Sequence, residues 1–133
     1  MKRMTREWVR KAESDFQLAA VIARGSKPFH DEQSFHCQQS SEKYLKALLE
    51  ELGLTIPKTH DLEDLLNLLL PHHASLSRQR RGLSLLTDFA VDPRYPLWRT
   101  TKREAASALR WAGKVRDACR ALLGLCPPRR RRK

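Results

Sequence analysis

Glycine is scarce in this 133-residue chain, with five scattered copies and no GxxxxGK[ST] or GxGxxG arrangement. Both glycine-rich phosphate cradles are thereby excluded, so any phosphate contact has to come from side chains or helix N-termini. Cysteine is scarcer still. Cys37, Cys119 and Cys126 are odd in number and form no CxxC. A disulfide framework does not fit them, and reduced thiols in a cytoplasm are expected. His72 and His73 are adjacent, so their side chains diverge. No acidic or cysteine ligand stands at zinc-site spacing, and neither a metal nor a cofactor is expected. No apolar run approaches the roughly 20 residues that span a bilayer. The N-terminal MKRMTREWVRKAESDF has no apolar core of the kind a signal peptide needs, and none is expected. β-Branched residues are few and no period-two alternation persists, which argues against a sheet.

What the chain does have is positive charge and helical pattern. The net charge is +11, and the last five residues, Arg129 to Lys133, carry five of it; 11 less 5 leaves +6 on the rest. Such a balance favours acidic partners, among them nucleic acid and nucleotides. Hydrophobic residues make up 41%, enough for one core in a chain that buries roughly two thirds of its unfolded surface. A single domain over residues 1–124 is expected, followed by a basic tail, 125–133, in which PPRRRRK reads as disordered.

Five helical segments are marked out by their caps and breakers. The first is predicted to start at Thr5 and to bury Trp8, Ala12, Phe16, Ala19 and Ala23. Gly25 and Pro28 end it. Asp31 is placed as the cap of the second helix, which runs to Gly53. Thr59 or Asp61 caps a third, with Leu62, Leu65, Leu66, Leu69 and Leu70 inward and Pro71 as its stop. A fourth is predicted from Ser75 or Ser77, carrying Leu76, Leu83, Leu86 and Ala90. VDPRYPLWR is a loop stiffened by two prolines. Thr101 and Glu104 then form a capping box for the last helix, whose stripe is Ala105, Ala108, Leu109, Ala112, Val115, Cys119 and Leu122. Long helices with short connections make an all-α, antiparallel, up-and-down bundle of four to five helices. Trp98 or Trp111 is a candidate interface anchor if exposed, and a core residue if not.

One stripe breaks its own pattern. Taken from its end at helical spacing, the second helix gives Leu52, Leu49 and Leu45, then Glu42, Gln38 and Phe35. Glu42 stands one turn before Lys46, the favourable order for an ion pair, and Lys43 lies beside it. Three readings fit: an exposed helix end, a buried polar network that fixes register, or a polar ligand patch. His60-Asp61 opens the third helix, as capping geometry or as part of that patch. Arg94 and Tyr95 are held between Pro93 and Pro96. That placement suits a guanidinium on phosphate with a ring to stack on a base, and equally a loop pinned to the core by its tyrosine.

FHCQQSSEKYLKALLEELG, then Pro57, THDL at 59–62, RYP at 94–96 and the final Ala-rich helix together resemble the HEPN family, from about Trp8 to Leu123. The resemblance implies a bundle of four or five helices that forms a homodimer. It also implies a partner, a minimal nucleotidyltransferase, in a toxin–antitoxin-type pair. The family-like positions are Gln38, Glu42, Lys43, Lys46, His60, Asp61, Arg94 and Tyr95. Many members of the family cleave RNA without a metal, through an Arg-x(4–6)-His motif paired across the dimer.

That motif is met here only by Arg24 and His30, far from the last helix. Before the last helix the spacing falls on Arg94 and Arg99, and an arginine cannot act as general base near neutral pH. The expectation is therefore a cytoplasmic nucleotide- or RNA-facing binding module whose nucleotidyltransferase partner supplies the chemistry. The alternative is a metal-independent RNA endonuclease toxin in which Arg94 stabilises the phosphate and Tyr95 or His60 moves protons.

Overall fold

The structure is a computed structural model, and it describes residues 1–90 and 95–125. Among the described residues there are five α-helices: α1 Arg3–Arg24, α2 His30–Glu51, α3 Leu62–Leu69, α4 Arg80–Thr87 and α5 Lys102–Leu122. A 3-10 helix, Ala74–Gln79, leads into α4. Among the described residues there is no strand, and no helix is long and apolar enough to cross a membrane. The bundle is all-α, as the pattern of caps and stripes requires.

α2 lies at the centre. Lys2 donates its N–H to Glu51 Oε1 at 3.0 Å, which sets the start of α1 against the end of α2. The two helices therefore run antiparallel. Gln33 Nε2 donates to the Ala105 carbonyl at 3.0 Å, near the starts of α2 and α5. Arg120 Nη1 reaches the Tyr44 hydroxyl at 3.4 Å further along both, so these two helices point the same way. The short α3 and α4 carry the chain back between them. Leu45, Leu48 and Leu49 of α2 meet Leu62, Leu65, Leu66 and Leu69 of α3 and Leu83 and Leu86 of α4 in one buried cluster. α5 contributes Ala105, Ala108 and Ala112, small side chains that let its backbone come close to α2.

The helix ends follow local chemistry. α2 stops where Gly53 takes φ +73°, a left-handed conformation open to glycine at no steric cost. The Leu54 N–H then reaches the Leu49 carbonyl at 3.0 Å, satisfying an orphan acceptor of the last turn. Asp61 caps α3 by accepting from the Glu63 N–H at 2.9 Å. Thr101 and Glu104 form the capping box of α5.

Three boundaries differ from expectation. The cap of α1 falls three residues early, at Lys2 and not Thr5. Thr5 is instead buried inside it, donating its hydroxyl to Glu51 Oε1 at 2.9 Å. Phe29, not Asp31, precedes α2, because the Asp31 carboxylate is taken by the Thr100 N–H at 2.7 Å. The fourth segment divides into the 3-10 helix and α4; Ser75 and Ser77 are weak α-helix formers. Trp98 and Trp111 are both half-buried and packed on the core, not free-standing anchors. Phe89 meets Trp98 edge-on.

Candidate functional site

The broken stripe of α2 is buried. Gln38 is fully enclosed, Glu42 is 5% exposed and Lys46 is 8% exposed. The Glu42 carboxylate gathers three donors: Gln38 Nε2 at 3.1 Å, Lys46 Nζ at 3.1 Å and His60 Nδ1 at 2.9 Å. Gln39 adds a fourth side chain by donating to Gln38 Oε1 at 2.7 Å. Trp8 of α1 covers the lysine, its ring centre 5.8 Å from Nζ. Burial opposes ionisation of Glu42, but the bonds from His60, Gln38 and Lys46 outweigh it and hold the carboxyl below its ordinary range.

His60 is the member of this centre that reaches solvent, with 64% of its side chain exposed. The loop after α2 brings it back beside the middle of that helix. A carboxylate can only accept, so Nδ1 donates, and Nε2 is left as the free ring nitrogen. A buried carboxylate thus orients an exposed imidazole. Such a pair can accept a proton, donate one, or hold an acceptor-rich ligand.

The other sequence candidates separate from this centre. Lys43 turns away from Glu42 and pairs with Asp15 of α1, which also receives His36 Nδ1 at 2.9 Å. It ties helices together and does not belong to the Glu42 patch. The Asp61 carboxylate is occupied as the α3 cap. Tyr95 is 63% exposed and so does not pin its loop to the core. Arg94 lies outside the described residues, as do Cys126 and all of the basic tail beyond Leu125.

A second ionic cluster was invisible to spacing patterns. Glu13 of α1 accepts from Arg116 Nε at 2.6 Å and Nη2 at 2.7 Å, and from the Tyr44 hydroxyl. Burial works against the Glu13 charge, yet the Arg116, Tyr44 and Gln17 hydrogen bonds bring its pKa down to about 2. Burial and the facing Glu13 push the Tyr44 phenol up to about 12. Glu13 and Arg116 are 103 positions apart in the chain, so no local pattern could have announced their pairing.

Comparison with known proteins matches residues 5–122 to the HEPN domain. Among solved structures, the chain is similar to TT1696 from Thermus thermophilus, with a TM-score of 0.78 and 22% identity over 90% of this chain and 98% of that one. It is also similar to ST0689, an archaeal HEPN homologue, with a TM-score of 0.72 and 21% identity over 92% of this chain and 99% of that one. At these identities the likeness speaks for the fold. No curated protein matches the chain.

Proposed function

Since the chain belongs to the HEPN domain family, we propose that it is a nucleotide- or RNA-facing binding module, the partner of a minimal nucleotidyltransferase in a toxin–antitoxin-type pair. One observation carries the reading. The enclosed carboxylates of Glu13, Asp15 and Glu42 are matched by Arg116, Lys43 and Lys46, three against three. These three pairs cancel, so the positive excess among the described residues lies mainly on exposed side chains, where it attracts phosphate. On that surface the Glu42-held His60 offers an oriented ring nitrogen. The homodimer and the cytoplasmic setting belong to the same proposal.

The alternative is a metal-independent ribonuclease. It is favoured by the Glu42–His60 pair, whose free Nε2 suits proton transfer, and opposed by the sequence, which has no Arg-x(4–6)-His pair near the last helix.

The test compares labelled structured RNA with wild type, His60→Ala and Arg94→Ala, with and without EDTA. Binding without cleavage is the expected result. Chelator-resistant cleavage lost in His60→Ala would establish the ribonuclease instead. A pull-down from cells expressing the tagged chain and a nucleotidyltransferase should recover the partner; failure to recover it under those conditions removes the pairing.

A further inference from the structure

The seam between α1 and the last turns of α5 shares no residue with the Glu42 centre. Two depressions open there, of about 530 Å³ and 210 Å³. Arg120 lines both and so stands between them. The charged side chains around them are Arg10, Glu13, Asp117 and Arg120. Three of these have partners. Arg10 pairs with Glu7 at 2.8 Å. Arg116 holds Glu13 at 2.6 Å and reaches Asp117 at 3.4 Å. Among the described residues Arg120 makes no ion pair.

The fold leaves this guanidinium unsatisfied. Its one hydrogen bond among the described residues is long, from Nη1 to the Tyr44 hydroxyl at 3.4 Å. Nε is buried and has no acceptor. Glu13 cannot turn to it, because its two oxygens already accept from Arg116 twice, from Tyr44 and from Gln17. An arginine carries five N–H donors in a fixed fork, and a charged acceptor across its two terminal nitrogens satisfies it best. Glu13 and Asp117 limit how much charge that acceptor can bring. A polyanion would set itself against both carboxylates, whereas a single carboxylate meets the one unmatched cation. The walls set the shape. Val9 lines the larger depression, and Ala121 and Leu125 line the smaller. In an extended chain, side chains two positions apart point the same way, about 7 Å from each other. An extended segment can therefore set an acidic side chain on Arg120 and an apolar one in each depression.

We infer that the α1–α5 seam docks an extended acidic segment of a partner protein, of the pattern apolar-x-Glu-x-apolar, with its glutamate across the Arg120 fork. The positive balance of the chain, +11, draws such a segment in. The inference goes beyond the RNA-facing reading and does not rest on the nucleotidyltransferase pairing. A failed pull-down would remove that partner and leave this seam standing.

The experiment titrates the peptide acetyl-Leu-Ser-Glu-Ser-Leu-amide into the ¹⁵N-labelled full chain and follows backbone amide shifts. Amides in residues 9–17 and 117–125 should move. The same peptide with glutamine in place of glutamate should bind at least about tenfold more weakly, the size of one lost charge-assisted contact. Arg120→Gln should weaken the glutamate peptide by the same factor and leave the glutamine peptide unchanged. Ser14→Glu keeps the test open if Arg120→Gln disturbs the fold. Ser14 is exposed on the wall of the larger depression, and a carboxylate there should weaken the glutamate peptide at least about threefold, as a partly screened like charge. A short RNA is titrated in parallel. The inference is overturned if shifts are absent or fall elsewhere, if the glutamine peptide binds as well as the glutamate one, if either variant binds as well as wild type, or if the RNA moves the same amides at lower concentration.

Discussion

Glu42 and His60 share one hydrogen bond and stand in opposite environments, so their removal should read out differently. Glu42→Ala leaves Lys46, 8% exposed, without its counter-ion, and an unpaired buried charge costs roughly 3 kcal/mol. His60→Ala removes a side chain that is mostly in water, and the expected loss is below about 1 kcal/mol. Urea unfolding of the two variants measures both. Equal losses would mean that His60 is a structural residue. If His60→Ala is nearly silent in stability and impaired in RNA or partner binding, the imidazole is there for its ligand.

At the scale of elements, α1 is fastened to α5 through Glu13 and Arg116. The sign of the pH effect follows from the direction of the shift. Glu13 has an ordinary carboxyl value of 4.5 and sits at about 2 in the fold. Its stabilisation is therefore complete above the unfolded value and is lost as pH falls from 4.5 toward 2. Glu13→Gln should be less stable than wild type at pH 7, with the difference narrowing through that window in thermal melts. α4 is fastened differently. A Cβ on Gly82 would fall 2.1 Å from Trp111 Cε3, so only glycine lets the two helices approach so closely. Gly82→Ala gains helix propensity but overpacks the indole, for a net loss of roughly 1–2 kcal/mol, visible as a lower urea midpoint. How much of this was legible depends on its range along the chain. The α2 stop at Gly53, the Asp61 cap and the Thr101–Glu104 box are contacts within a few residues and could be read directly. Gln38, Glu42 and Lys46 were also readable as one stripe, by helical period. Their burial was not, because it depends on Trp8 and on a loop that returns His60 to mid-helix. Lys43 was misplaced for the same reason: its partner Asp15 is 28 positions away. The α1–α5 seam brings residues 10 and 17 to residue 120, a meeting that no periodicity encodes.

At the scale of the molecule, charge is sorted. Among the described residues opposite charges are paired inside and most of the positive excess is exposed; in the sequence, five of the +11 fall in Arg129–Lys133. If those five residues meet RNA, deleting them should lower affinity and flatten the salt dependence. The slope of log K against log salt would fall by up to about 3.5 for single strands; an unchanged slope would remove the tail from the interface. The short helices are also fastened to each other. The Leu62 N–H is bonded to the Thr87 hydroxyl at 3.1 Å, and Arg80 reaches Glu63 at 3.2 Å and Asn67 at 2.9 Å. These links tie α3 to α4, and the two are expected to open as one unit. His60 stands two residues ahead of that unit, while Gln38, Glu42 and Lys46 all remain on α2. An opening of α3 and α4 would therefore loosen the segment that holds the imidazole to its carboxylate. Hydrogen exchange at the α3 and α4 amides reads such a release directly: exchange there faster than in α2 would make His60 a latch, and equal protection would show that it stays fastened.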